Sequence, residues 1–407
     1  MWRLYTMVTH VKNNFCIAPF SQVTLAPNGG YSPCPEIGGQ PWWSLGASLI
    51  KIWPSEEFEK LRTSFINNEK SPTCSRCWDQ ESYNKISLRK TLLTNGLNGK
   101  KSFQSGELIP FLEGGYKKGP KQLNLMVGNL CNLKCRICHA ASSSTWTTEG
   151  KFYEQKFKIK TNYTTLQEKP ITFNDQQIDS IIAMSSELER IEFYGGEPLL
   201  DRPSLRLLEH LKTTGQSKKI TLFYNTNGTV TPTEKHLELW PHFASVEFNF
   251  SIDDIDHRYT YNRHPARWEN LESNIKFIQS QPNGINAKCF AICTVSTLNV
   301  FYLPEILDRL DQLKLPYHLN DVRWPEYYNV LHLPQSLKTT IIDKLQTYKN
   351  LGKVQFLLNM LHAKENLKHW EKFKFWTREK DSYRSESFKT TYPEFYNAIK
   401  QCNLEFV

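Results

Sequence analysis

No stretch of about 18 apolar residues occurs in the 407-residue chain, so no segment reads as a membrane-crossing helix. The start, Met1 to Pro19, lacks the apolar core of a signal peptide, being interrupted by Lys12, Asn13 and Asn14. Without an export signal, the ten cysteines are expected to be reduced thiols available to metal, which excludes a disulfide framework and places the chain in the cytoplasm. There is no internal repeat and no low-complexity tract, which sets aside stacked-repeat and disordered readings. Acidic residues are in mild deficit, 41 Asp and Glu against 50 Lys and Arg, for a net charge of +9. Such an excess could favour an anionic substrate such as a nucleotide, a nucleic acid or an acidic peptide. It is dispersed along the chain, however, and an ordinary solvated surface accounts for it.

The length suffices for a barrel-sized domain with smaller modules. From Lys121 onward, strand-like runs at 122–128, 190–194, 219–225, 245–252, 287–296 and 317–323 alternate with helix-like runs. The latter carry apolar residues three and four apart: Ile178, Ile181 and Ile182; Leu205, Leu208 and Leu211; Trp268, Leu271, Ile275 and Ile278; Leu303, Ile306, Leu307 and Leu310. Such alternation predicts an α/β fold with a parallel sheet and right-handed crossovers.

Three cysteines, Cys131-x3-Cys135-x2-Cys138, follow the apolar run Leu123 to Val127 at the spacing of a chain wrapping three corners of an iron–sulfur cube. A cube held by three thiolates keeps its fourth iron open to a small molecule. The next strand-like run, Ile191 to Tyr194, ends in Gly195-Gly196-Glu197-Pro198, where glycines expose backbone and the glutamate offers a carboxylate to a cation. Taken singly, the cysteines could be zinc ligands and the glycines any tight turn. Together, at the ends of consecutive strands, they point to one chemistry.

The pair resembles the radical S-adenosylmethionine (radical SAM) enzymes over roughly the middle half of the chain. That resemblance implies a partial (β/α)6 barrel with its chemistry at the C-terminal ends of the strands. It further implies a [4Fe–4S] cluster on Cys131, Cys135 and Cys138, whose open iron is chelated by the amino and carboxylate groups of S-adenosylmethionine. Gly195, Gly196 and Glu197 would bind the amino group. One electron would then release a 5′-deoxyadenosyl radical that takes a hydrogen atom from substrate. Ile137 stands where the family usually has an aromatic residue against adenine; an aliphatic side chain can cover the same ring face. Asn225 opens the turn Asn225-Thr226-Asn227-Gly228 after the third strand. Ser251-Ile252-Asp253, with Arg263 twelve residues beyond the serine, resembles the SIDG segment of peptide-modifying members, with Asp254 in place of the glycine. There the serine and the arginine contact the ribose and carboxylate region of the cofactor.

Cys289 and Cys293 lie four apart on the fifth strand and so share a face. If that face lines the barrel, either is a candidate catalytic hydrogen donor; burial as plain core is the commoner fate of such thiols. Asn299 follows the same strand.

Ahead of the barrel, Cys16-x12-Gly29-x4-Cys34 and Cys74-x2-Cys77 resemble the SPASM auxiliary-cluster module, or its shortened twitch form, displaced to the N-terminal side. Four thiolates suffice for one second [4Fe–4S] cluster. A zinc ribbon would use the same spacing, and iron–sulfur is preferred by association with the barrel.

The expected organisation is a cluster module over 1–118, the barrel over 119–330 and a helical C-terminal extension over 331–407. In the extension, His369 to Trp376 alternates bases with aromatics. That pattern could stack nucleic acid, but a helix packed on the barrel with lysines reaching outward is the simpler reading. The expected substrate is a peptide or protein side chain, with a small carbohydrate or nucleotide as the alternative. The expected partner is an electron donor such as flavodoxin or ferredoxin. A non-catalytic zinc- or nucleic-acid-binding protein is the reading from another class, and intact Cys131, Cys135, Cys138 and Glu197 argue against it.

Overall fold

A computed structural model describes residues 14–37, 43–44, 48–95, 114–161, 169–348 and 351–404. All six expected barrel strands are present: β4 (Gln122–Met126), β5 (Arg190–Tyr194), β6 (Thr221–Thr226), β7 (Ser245–Ser251), β8 (Ala287–Val295) and β9 (Tyr317–Asp321). They pair in parallel in sequence order. The N-terminal region adds β1 (Gln22–Leu25), β2 (Gly30–Ser32) and β3 (Trp43–Ser44), giving one nine-stranded sheet in the order β3-β2-β1-β4-β5-β6-β7-β8-β9. β1 runs parallel to β4, so the sheet passes without a break across the expected boundary at 118/119.

The two faces of the sheet follow the side-chain alternation of a strand. Outward lie Leu123, Leu125, Ile191, Phe193, Leu222, Tyr224, Val246 and Phe248, all buried. Phe193 stacks on Tyr224 at 4.6 Å and Tyr224 on Phe248 at 5.8 Å between ring centroids. Inward, in the same register, lie Gln122, Arg190, Glu192, Asn225, Glu247, Asn249, Lys288 and Phe290, which line a cavity of about 900 Å³.

Helices cover the outer face: α5 (Asp175–Ile182), α6 (Pro203–Thr213), α7 (Glu234–Leu239), α8 (Asp256–Asn262), α9 (Trp268–Gln279) and α10 (Leu303–Gln312), after α1 (Glu56–Ile66), α2 (Ser75–Ser82) and α3 (Leu88–Asn95) of the N-terminal region, while α4 (Trp146–Phe157) packs through Trp146 and Tyr153 in a small cluster of its own with Trp376 and Tyr383. The expected apolar positions on α6, α9 and α10 are the buried ones, apart from partly buried Leu205 on α6. The N-terminal region has its own small core around Phe15, Phe20, Leu61, Phe65 and Tyr116. It touches both margins of the barrel sheet. β1 lies beside β4, and beyond α2 Lys85 forms an ion pair with Asp321 of β9 at 2.7 Å. The module therefore bridges the gap that a six-stranded partial barrel leaves open.

The C-terminal extension is helical, with α11 (Gln335–Gln346), α12 (Leu351–Leu361), α13 (Leu367–Arg384) and α14 (Pro393–Gln401). On α13, Trp370, Phe373, Thr377 and Lys380 are buried while Lys368 and Lys372 are exposed, the spacing of one helix face packed on the barrel. Among the described residues no helix is long and apolar enough to cross a membrane.

The register of β8 corrects one expectation. Lys288, Phe290 and Ile292 face the cavity, so Cys289 and Cys293 face the helices. Cys293 is fully buried in the main core and Cys289 packs against it. Neither thiol reaches the lumen as a hydrogen donor, because odd and even residues of a strand cannot share a face. Replacing either by Ala should cost on the order of 1 kcal/mol of stability by chemical denaturation and leave turnover unchanged. Turnover stalling in one variant would contradict the register.

Candidate functional site at two cysteine clusters

The loop after β4 carries Cys131, Cys135 and Cys138 and has no helix or strand from Val127 to Thr145. Its shape comes from its neighbours. Gly196 N–H donates to Gly128 O at 2.8 Å and Glu197 N–H to Leu130 O at 2.8 Å, while Val127 N–H donates to Tyr194 O at 2.8 Å. Side chains would forbid this approach. A Cβ on Gly196 would stand 2.2 Å from Leu130 O, and one on Gly195, whose φ is +112°, 2.7 Å from Gly128 O.

The loop gathers its thiols among cationic and N–H donors. Leu133 N–H points at Cys131 Sγ from 3.5 Å, Asn227 Nδ2 at the same sulfur from 3.9 Å, and Arg263 Nη1 at Cys135 Sγ from 3.9 Å. Burial pushes the Cys135 thiol up to about 12 despite the nearby Arg263, and burial with mutual repulsion raises Cys138 as well. The three thiols are partly buried, and the N–H and guanidinium groups aimed at Cys131 and Cys135 suit sulfur ligands carrying negative charge. The residues present therefore fit a three-thiolate cluster.

Glu197 differs from the expectation that its carboxylate meets the cofactor's ammonium. It is fully buried and accepts hydrogen bonds from Thr226 Oγ1 at 2.7 Å, Asn227 N at 2.8 Å and Leu199 N at 3.1 Å. It thus ties the glycine turn after β5 to the turn after β6. Arg263 is held by Asp253 through Nη2 to Oδ2 at 2.7 Å, and Asp253 Oδ1 accepts from Thr294 N at 2.9 Å. Asn299 Nδ2 donates to Asp253 O at 2.7 Å, closing the ends of β7 and β8 together. Asp254 is fully buried and anchors α8 through Arg258 Nε at 2.9 Å; burial lifts its carboxyl to about 7 against the pull of that arginine. Ser251 ends β7 on the inward face, nine-tenths buried. Asn225 accepts from Asn249 Nδ2 at 3.0 Å at the cavity wall, and Asn249 Oδ1 is left without a partner among the described residues. Ile137 is half-buried against the main core.

Sequence reasoning missed a charged network beneath the cysteine loop. Arg136, between the second and third cysteines, is fully buried; Nη2 meets Asp381 and Glu386 at 2.5 Å each, and the guanidinium lies 3.5 Å over the Tyr261 ring. Arg384 of α13 meets Glu149 at 3.1 Å and donates to Lys134 O at 2.9 Å, while Lys134 Nζ reaches the same Glu149 at 2.9 Å. Lys380 Nζ donates to Arg136 O at 3.1 Å. Lys380, Asp381, Arg384 and Glu386 lie more than two hundred residues from the loop, and no local pattern announces them.

The second set, Cys16, Cys34, Cys74 and Cys77, lines one small pocket with Leu88, Arg89 and Leu92. Among the described residues, no three His, Cys, Asp or Glu side chains close on a single-ion centre. Burial raises all four thiols, Cys74 to about 12, and each of Cys16, Cys34 and Cys74 is raised further by its fellows. Glu36, Leu88 and Leu92 line both this cavity and the barrel cavity, so one thin wall separates the cysteine set from the lumen.

Comparison with known proteins bears on both sites. The sequence profile of the radical SAM superfamily matches residues 125–310, and that of the SPASM iron–sulfur cluster-binding domain matches residues 16–78. A radical SAM cyclopropyl synthase, TigE of Paramaledivibacter caminithermalis, is 29% identical over 141 residues, or 34% of this chain and 29% of that protein. The match thus spans under a third of this relative's length. Among solved structures, anSMEcpe with bound AdoMet is 16% identical, covers 55% of this chain and 58% of its own, and has a TM-score of 0.39. SuiB of Streptococcus suis bound to precursor peptide SuiA is 12% identical over 79% of this chain and 64% of its own, with a TM-score of 0.36.

The buried network yields a prediction. Glu149→Gln leaves Arg384 and Lys134 without their shared counter-charge, and breaking a buried ion pair from one side costs roughly 3–5 kcal/mol. Denaturation should show a loss of that order, with iron lost first from the site on Cys131, Cys135 and Cys138. Unchanged stability and iron content would mean the network does not support the loop.

Proposed function

We propose that this chain, which matches the radical SAM superfamily over residues 125–310 and the SPASM iron–sulfur domain over residues 16–78, is a radical SAM enzyme that abstracts a hydrogen atom from a peptide or protein side chain. Cys131, Cys135 and Cys138 would hold one [4Fe–4S] cluster, and Cys16, Cys34, Cys74 and Cys77 a second. With S-adenosylmethionine bound, the first cluster supplies one-electron cleavage of the sulfonium to methionine and a 5′-deoxyadenosyl radical.

The protein's own part is positioning. The exposed backbone of Gly195 and Gly196 receives the ammonium of S-adenosylmethionine, and Glu197 holds that turn in register with Thr226 and Asn227. Arg263, oriented by Asp253, meets the carboxylate. Ile137 covers adenine, and Ser251 with Asn225 contacts the ribose side. An external one-electron donor such as flavodoxin or ferredoxin supplies the electron.

The observation that carries this reading is the shared cavity. The glycine turn opens into it at Gly195, and the wall of the second cysteine set closes it at Glu36, Leu88 and Leu92. Its volume of about 900 Å³ lies at the upper end of the roughly 300–1,000 Å³ of a ligand pocket, room for a side chain and part of a peptide backbone beside the cofactor. The cations inside are already matched, Arg190 by Glu192 and Glu247, and Lys288 by Glu247. That supports a peptide over a phosphate-bearing nucleotide, whose anionic groups would need cations of their own.

Anaerobic reconstitution should give about eight irons per chain, and changing Cys131, Cys135 and Cys138 together to Ala should remove half the iron and all 5′-deoxyadenosine formation. One cluster plus one zinc would sink the second-cluster assignment. Glu197→Gln removes the charge to which Thr226, Asn227 and Leu199 donate, so it should loosen the glycine turn and weaken S-adenosylmethionine binding with both clusters intact. Because Glu197 acts through the turn, Thr226→Val should weaken binding in the same direction by calorimetry; no change in either variant would contradict this role.

A further inference from the structure

The cysteine loop has a second open side. Away from the barrel cavity, His139, peptide-bonded to Cys138, meets Trp324 edge to face at 4.7 Å between centroids, and Trp324 is 40% exposed. Trp324 stands at the rim of an open pocket of about 1000 Å³ lined also by Ile159, Lys160, Tyr327, Lys372 and Trp376. Trp376 packs on Tyr153 at 5.3 Å, in the same small apolar cluster that Cys138 joins. The pocket is therefore surface-exposed and aromatic, and through Trp324 and His139 it lies one residue from Cys138.

Its charge is positive. Lys160 and Lys372 are exposed and form no ion pair among the described residues, and Lys158 and Lys368 are exposed close by in sequence. The acid of the lining, Glu326, meets His369 at 3.3 Å. Ile159 and Phe152 add exposed apolar surface on the same helix and its continuation.

We propose that this pocket is where the electron donor docks: an acidic flavin or iron–sulfur protein seats on Lys160 and Lys372 and passes its electron through Trp324 and His139 to the Cys138 side of the cluster. The inference rests on the radical SAM reading above. The donor loses one electron, the cluster gains one, and no proton or bond is exchanged. A small patch suffices, since electron-transfer complexes are transient and bury under about 1,200 Å². Lysines at its rim would speed encounter with an acidic partner, an effect that salt screens. Substrate and donor then occupy opposite sides of one loop, with Ser142 on the barrel-cavity side and His139 on the donor side.

The test compares wild type with Lys160→Glu/Lys372→Glu, using a reduced flavodoxin and, separately, dithionite, which needs no docking. The variant should reduce its cluster with dithionite at the wild-type rate and with flavodoxin at least tenfold more slowly. Calorimetry should show flavodoxin binding weakened tenfold or more, and in wild type both flavodoxin readouts should weaken as salt rises. Unchanged flavodoxin binding and reduction in the variant would overturn the docking site. So would tight wild-type binding of a single-stranded oligonucleotide that the variant abolishes while flavodoxin reduction stays normal. Failure of wild type to cleave S-adenosylmethionine even with dithionite would instead count against the radical SAM reading.

Discussion

A loop that must present three thiols to one cube cannot shape itself, and the structure depends on how the segment from Val127 to Thr145 is held. On one side the glycine turn after β5 lies backbone to backbone against Gly128 and Leu130, an approach only a residue without Cβ permits. On the other side α13 grips the carbonyls of Lys134 and Arg136 through Arg384 and Lys380. The same turn that is expected to face S-adenosylmethionine is thus also the seat of the loop expected to hold the cluster. Glu197 extends the arrangement to β6, and Asp253 with Asn299 to β7 and β8, so the C-terminal ends of four successive strands after β4 are laced to one another around the site.

The N-terminal module solves a different problem. Six parallel strands leave an open side, and the inner face of this sheet is polar, so an uncovered lumen would be wet. Pairing β1 with β4 while Lys85 reaches Asp321 of β9 lets one module reach both margins. Placement ahead of the barrel, and not behind it, still brings the second cysteine set to the cavity wall. Leu88 and Leu92 line both the cysteine pocket and the lumen, so they stand between those thiols and the lumen.

Much of this was legible in the sequence because the signals were local. Strand and helix alternation located all six barrel strands, and the apolar spacing on α6, α9 and α10 named their inward faces. The cysteine motif follows β4 and the glycine turn follows β5, where their places in the sequence put them. What was not legible depended on register or distance. Cys289 and Cys293 were correctly placed on one face, but which face looks inward is decided by pairing with β7. Glu197 reads as a free carboxylate until Thr226 and Asn227 fold against it. Asp381 and Arg384, partners of Arg136 and Glu149, lie far along the chain on α13; that helix reads as one packed on the barrel, but not as the floor of the cysteine loop.

On this reading two four-iron sites flank one barrel cavity, the second behind the wall of Glu36, Leu88 and Leu92, and only the first meets S-adenosylmethionine. Mössbauer spectra of protein reconstituted with iron-57, recorded with and without S-adenosylmethionine, test it directly. The account predicts two four-iron signals of equal area, with one iron of one cluster changing its parameters on addition of S-adenosylmethionine and the other cluster unaltered. Spectra in which S-adenosylmethionine perturbs neither site would contradict it.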